Sequence, residues 1–304
     1  MISIYCSEKL DGVAAAAIVM RHAILSKLPA HFGGFLHPDA LSAELEDMAR
    51  EEHKLIFVLD MAVMPEHLPL LEQIGAKNKL VYWNTHDAES VVPPSKIFDR
   101  ALDNRCASEL VQQRFLQNDI IARKLAELAH EVKFWQIRDE RAAKLSDLIA
   151  AQYSPVELID SLARGVLWNV QFEEFHKSYA ERKQAAFDEL IGSLLIKSYV
   201  THQFGFALSP SILTTADACQ KVLDGHAGID VAIVVYRDGR MGFRRRDDGE
   251  VDVKELAKLF NGGGRPFAAG ARLNVQVSKE NFQEVLFHID QAFRNFFVGV
   301  KAVS

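Results

Sequence analysis

Cysteine is scarce in this chain of 304 residues: Cys6, Cys106 and Cys219 are the three, far apart and without a CxxC pair. That spacing argues against a disulfide framework and a structural zinc site, and it fits a reducing, cytoplasmic compartment. Long apolar runs are missing too. The longest, Val13 to Met20, is too short to span a bilayer and reads as a buried helix face, so no membrane association is expected. No charged lead precedes an apolar stretch at the N-terminus, so no signal peptide is expected. There is no excess of positive charge: the net charge of -6 argues against a protein that coats nucleic acid through a broadly basic surface. A local basic patch stays open, because binding depends on where charges lie. Repeats and low-complexity tracts are absent from the sequence. What remains, 49% hydrophobic and 25% charged residues, is an ordinary globular composition, and the length favours two domains.

The first half alternates short β-like runs with helical patterns. "ISIYC", "HFGGFL", "KLIFVLD" and "KLVYWNT" read as strands. Between them, Asp11 to Lys27, Pro38 to Glu52 and Pro65 to Ile74 have helical periodicity, with each proline where a first turn tolerates it. This alternation implies a Rossmann-like parallel sheet flanked by helices, with ligands at the carboxyl ends of the strands. Ala107 to Ser198 reads as almost wholly helical. Its last piece, from Trp168, is long and amphipathic and reads as a linking helix or as a packed helix of the first domain. A β-rich region follows: "RDGR" marks a hairpin, Val253 to Phe260 a helix, "ARLNVQV" a strand, and Lys279 starts a terminal helix. The expected division is an α/β domain over 1–167, a linking helix over 168–198 and a smaller α/β domain over 199–304.

"NGGGRPFAAGA", Asn261 to Ala271, is the most specific motif. Three consecutive glycines, Gly262, Gly263 and Gly264, permit positive φ and close backbone approach, and adjacent N–H groups can form an anion-binding nest. Arg265 can grip a phosphate or carboxylate through two parallel bonds. A helix end followed by a turn is the plainer reading of the same glycines. The segment resembles the GGGHPxAAGA motif of the DHH-associated domain, with Arg265 in place of the histidine. In the DHH superfamily of phosphoesterases that domain follows a parallel-sheet catalytic domain across a linking helix and contacts the substrate phosphate or terminal nucleotide. The order of elements resembles this family over essentially the full length. Arg245, in "GFRRRDDG", falls where the family has a strand arginine facing the substrate. A solvated basic edge strand is the other reading.

The resemblance extends to the metal motifs, with departures. The family's HxDxDG aligns with "SEKLDG": Asp11 and Gly12 match, Ser7 replaces the histidine and Lys9 replaces the first aspartate. An ammonium offers no lone pair to a cation, so Lys9 is expected to fill the place of a missing metal or to bind phosphate as a point charge. Asp60, ending "IFVLD", matches the family's lone strand-end aspartate, and a helix N-cap is its alternative. "NTHDAES" stands where the family has its DHH triplet. Asn84 and Thr85 replace the aspartate and the metal-binding histidine, and His86 keeps the histidine that touches phosphate. A fourth acidic ligand is expected at Asp139, with Asp103 as an alternative and a helix start as the plainer account. Cys106 reads as a small buried residue.

The family's two-metal hydrolysis uses carboxylates and histidines to hold ions that generate hydroxide and stabilise charge on the phosphoryl oxygens. Here Asp11, Asp60 and Asp139 are expected to hold at most one Mn²⁺ or Mg²⁺. The phosphate-contacting set, Lys9, His86, Arg245, Arg265 and the three glycines, is expected to line a cleft between domains. The leading expectation is a catalytically degenerate member that binds a nucleotide or a single-stranded nucleic-acid end. The superfamily includes such a case, a replication-helicase subunit similar to RecJ-type exonucleases but lacking their activity. Two alternatives are an active phosphodiesterase on short oligonucleotides or a small phosphate ester, using Asp60 and His86, and a structural partner, as a homodimer or within a complex.

Overall fold

In the computed structural model, residues 1–84, 97–100 and 105–301 are described. The chain divides into two compact units, Met1–Lys177 and Ser178–Ser304. In the first, β1 (Ile2–Ser7) leads to α1 (Leu10–Leu25), β2 (Ala30–Leu36) to α2 (Leu41–Met48), and β3 (Leu55–Leu59) to α3 (Leu68–Lys77). Then come β4 (Lys79–Asn84) and β5 (Ile97–Arg100). Five helices follow, the last running on into the second unit: α4 (Ala107–Phe115), α5 (Ile120–Lys133), α6 (Glu140–Ala150), α7 (Pro155–Ala163) and α8 (Val170–Gly192).

The sheet has the order β2-β1-β3-β4-β5 and every pairing is parallel. The chain winds outward from β1 to β2, then reverses to β3. Ligands of such sheets bind where that reversal opens a crevice, at the carboxyl ends of the strands on either side. Here those strands are β1 and β3.

Helix α1 explains why the crevice is tightly built. Leu10 to Val19 is buried throughout, and Ala14, Ala15, Ala16 and Ala17 let α4, α5 and α7 pack closely around it. Gly12 is required at its start, because a Cβ there would lie 2.5 Å from the Ser7 carbonyl oxygen and 2.6 Å from Ser7 Oγ. Pro65 opens a separate 3₁₀ turn, Pro65–His67, before α3.

The second unit carries β6 (Leu195–Tyr199), β7 (His202–Ser209), α9 (Thr215–Gly225), β8 (Val231–Tyr236) and β9 (Arg240–Arg245). It continues with α10 (Val253–Lys258), β10 (Gly263–Arg265), β11 (Ala268–Arg272) and α11 (Phe282–Lys301). Its sheet runs β10-β11-β9-β8-β7-β6, with β7 and β8 parallel and the other pairs antiparallel.

Two boundaries differ from expectation. The long helix stops at Gly192, and the strand Leu195–Tyr199, whose burial alternates along its length, takes in residues up to Ser198 that were expected as helix. The glycine motif is not a loop. Gly263–Arg265 is an edge strand, joined to β11 by a tight turn at Pro266 and Phe267. The strand expected from Ala271 accordingly starts three residues earlier, at Ala268.

Candidate functional site

Asp11 and Asp60 meet at the crevice of the parallel sheet, Asp11 in the first turn of α1 and Asp60 just after β3. Both are almost fully buried, at 4% and 2% exposure. Between them stands an ammonium: Lys133 Nζ, from the last turn of α5, lies 2.6 Å from Asp11 Oδ2 and 3.2 Å from Asp60 Oδ1. The remaining carboxylate oxygens are also occupied. Ala107 N donates to Asp11 Oδ2 at 3.0 Å, and Ser108 N and Ser108 Oγ both donate to Oδ1 at 2.8 Å. Ser7 Oγ donates to Asp60 Oδ2 at 2.7 Å. Asp60 holds a left-handed backbone, φ 52°, uncommon for a residue with a side chain and tolerated best by aspartate and asparagine.

The charges are tightly linked. Burial, then the charge of Asp60, pushes the Asp11 carboxyl up from its ordinary range, while Lys133 and Ser108 pull it down. Burial opposes the charge on Lys133, yet the carboxylates, Asp11 first, hold its ammonium above the ordinary lysine range. Lys133 is therefore a permanent cation at neutral pH. Burial pushes the Cys106 thiol well up, which removes it as a nucleophile.

These residues do not fit a divalent pair. Hard ions such as Mn²⁺ and Mg²⁺ take six or more oxygen donors. Here the Asp11 oxygens are committed to backbone and hydroxyl donors, and an ion between Asp11 and Asp60 would face an ammonium already there. Asp139, expected as a further acidic ligand, has other partners. It caps α6 by accepting from Arg141 N at 3.0 Å, and it pairs with Arg141 Nη2 at 2.6 Å and Lys124 Nζ at 3.0 Å. The Arg141 partner, above all, holds its carboxyl far below the usual range. Its helix-capping role, the plainer account of the sequence, is the one the geometry supports.

Lys9 does not fill the metal position either. It sits before α1, exposed, and makes no ion pair with the described residues. The cation comes from a residue 122 positions away from Asp11, and nothing local in the sequence marks Lys133 for it. Ser7 and Ser108 were likewise missed as carboxylate donors. Asn84 ends β4, buried, at the same edge of the sheet; Thr85, His86 and Asp103 lie outside the described residues. Among the described residues, one trio of metal-ligating side chains stands close together: Cys106, Glu109 and His130.

In the second unit the three consecutive arginines separate by role. Arg246 donates to the carbonyls of Leu223, His226 and Ile229, holding the end of α9. Arg244 is 8% exposed, and burial lowers its guanidinium from the ordinary range. Arg245 is half-buried and its Nε is buried without a hydrogen-bond partner. All three line a cleft of about 310 Å³ with Gln220, Asp247 and Asp248. The glycines form no nest. A Cβ at Gly262 would lie 2.2 Å from the Gly270 carbonyl oxygen, and one at Gly264 2.5 Å from Ala269 Cα. They serve close strand packing, and only Gly263 faces open space. Arg265 extends beside Phe267, its guanidinium carbon 5.9 Å from the ring centre.

Residues 197–295 match the family model of the DHHA1 domain. No curated protein matches the chain. Among solved structures, RecJ from Thermus thermophilus in complex with Mn²⁺ is similar over 98% of this chain and 52% of its own, with TM-score 0.62 and 14% identity. PggH from Vibrio cholerae, a pGpG-specific phosphodiesterase, matches over 96% of this chain and 99% of its own, with TM-score 0.60 and 12% identity. An exopolyphosphatase-related protein from Bacteroides fragilis matches over 99% and 93%, with TM-score 0.56 and 13% identity. At such identities the likeness is one of fold. Among the described residues, no helix is long and apolar enough to cross a membrane. A DHHA1-domain match over residues 197–295 thus follows a parallel-sheet unit, and the chain shares the fold of RecJ and PggH along nearly its whole length.

Proposed function

We propose that the chain binds the phosphate of a nucleotide or of a single-stranded nucleic-acid end and does not hydrolyse it. The observation that carries this is the Lys133 ammonium within 2.6 and 3.2 Å of the two buried aspartates. Two-metal hydrolysis needs both ions to clamp the attacking and leaving oxygens. A fixed ammonium between the carboxylates stabilises the fold in their absence and opposes their entry. The groups that grip an anion do not depend on metal. Arg245, with its unpartnered Nε, and Arg265 supply guanidinium donors in the second unit, and Lys9 and His86 would add charge and an imidazole in the first. A RecJ of similar fold is named an exonuclease and PggH a pGpG-specific phosphodiesterase, which sets the probes.

The test uses the full chain with a labelled short single-stranded oligonucleotide and with a linear dinucleotide. Binding followed by anisotropy in EDTA is expected to persist and to weaken about tenfold or more on Arg245→Ala or Arg265→Ala, the size of a lost charged hydrogen bond. Hydrolysis with added Mn²⁺ is expected to be absent. Mn²⁺-dependent turnover that disappears in Asp60→Asn would overturn the proposal in favour of an active phosphodiesterase. Absence of any binding to either probe would leave a purely structural partner.

A further inference from the structure

We propose that Cys106, Glu109 and His130 form a site for a borderline divalent ion of the zinc class, beside the Asp11–Lys133–Asp60 cluster but sharing no ligand with it. Cys106 is the N-cap of α4, Glu109 is the third residue of that helix, and His130 faces them from α5. One thiol sulfur, one carboxylate oxygen and one imidazole nitrogen lie within 4.8 Å of one another. Zinc bonds of about 2.3 Å to sulfur and about 2.0–2.2 Å to nitrogen or oxygen place donors at roughly such separations. An ion could therefore reach all three with small side-chain adjustment.

Three details point to a ligand. His130 Nδ1 is a buried ring nitrogen without a hydrogen-bond partner, although Glu109 Oε1 stands 3.2 Å away. A buried polar atom left so is costly, and an ion would satisfy it. Glu109 is already oriented: its Oε2 accepts from Cys106 N at 2.6 Å, leaving Oε1 turned to the histidine. The His130 ring is steadied by Phe134, with ring centres 4.6 Å apart. Outer support of this kind fixes ligands for a metal.

The donor set chooses the ion. A thiolate and an imidazole suit zinc and its neighbours, whereas Mn²⁺ and Mg²⁺ prefer oxygen alone. The thiol loses its proton on coordination. Glu109 and His130 keep 26% and 31% of their side chains exposed, which leaves an entry and a place for a water as fourth ligand. Lys133 follows three residues after His130, but Asp11 and Asp60 already neutralise it.

The test is cobalt and zinc titration of the full chain and of Cys106→Ser and His130→Gln. Serine is a preferred N-cap, so Cys106→Ser keeps the start of α4 and loses only the soft donor; unchanged thermal melting confirms that both variants are folded. One Co²⁺ per chain is expected, with a thiolate-to-cobalt charge-transfer band that Zn²⁺ removes and excess Mn²⁺ does not. Cys106→Ser should abolish the band, and each variant should weaken Zn²⁺ binding at least about tenfold, as even outer-shell changes do. No band in the unaltered chain, or Zn²⁺ affinity unchanged in both variants, would overturn the proposal and leave a helix cap beside a Glu–His pair. Phosphate binding is measured in EDTA, so failure here and failure there are separately readable.

Discussion

Lys133 makes the sharpest demand of any single residue. Its removal would leave two buried carboxylates facing each other, and breaking such a pair costs about 3–5 kcal/mol. Lys133→Ala is therefore expected to melt well below the parent chain. It should also bind Mn²⁺ more tightly than the parent chain by calorimetry, with partial recovery of the melting temperature by mass action. A variant whose stability ignores Mn²⁺ would show that the carboxylates cannot hold an ion even when freed. The aspartates of this cluster were legible in the sequence, because each ends a strand or opens a helix in a recognisable pattern. The lysine was not. Within "RKLAELAHEVK" it has the periodicity of an amphipathic helix, and only the fold brings it to Asp11 and Asp60.

At the scale of elements, α5 is the helix that delivers both Lys133 and His130, and its N-terminus is pinned by Asp119. That carboxylate caps the helix through Ala122 N at 2.8 Å and receives Arg21 Nε and Nη2, both at 2.9 Å. The Arg21 bonds, above all, lower its carboxyl from the ordinary range. A lowered folded value means stabilisation that is full above about pH 4 and lost as pH falls through the folded value. Asp119→Asn keeps a capping oxygen but not the charge. It should cost about 1–2 kcal/mol at neutral pH, with the difference from the parent chain shrinking in melts below about pH 4. The β10–β11 hairpin makes a second element-scale contrast. Gly264 has φ +144° and no room for a Cβ, whereas Gly263 has open space. Gly264→Ala should lower the melting temperature by several degrees and Gly263→Ala should change it little. The glycines were conspicuous in the sequence, but sequence alone could not tell a nest from a strand. Both need small residues, and the pairing with Ala268 to Gly270 decides between them.

For the whole molecule, the alternation of strand and helix gave the parallel sheet, and the RDGR hairpin and glycine motif marked the second sheet. The helical middle hid where one unit ends, since α8 continues across the division after Lys177. A net charge of -6 with a few concentrated arginines implies local rather than enveloping contact with an anion. Only about two phosphates neutralised by Arg245 and Arg265 would give single-strand binding a shallow salt dependence, with a log–log slope near -1.4. Anisotropy titrations across salt concentrations would measure it, and a slope several times steeper would contradict such a small footprint.

The ties of Asp11 and Asp60 to Ser7, Lys133 and Ser108 also make these five residues interdependent. Losing the lysine first strands two bare carboxylates in the interior, and adding acidic ligands first piles more negative charge around a pair already outnumbering its cation. Either single change passes through a less stable chain. The cluster thus behaves as a single unit: its members are expected to be kept together or exchanged together, because every lone substitution within it is uphill.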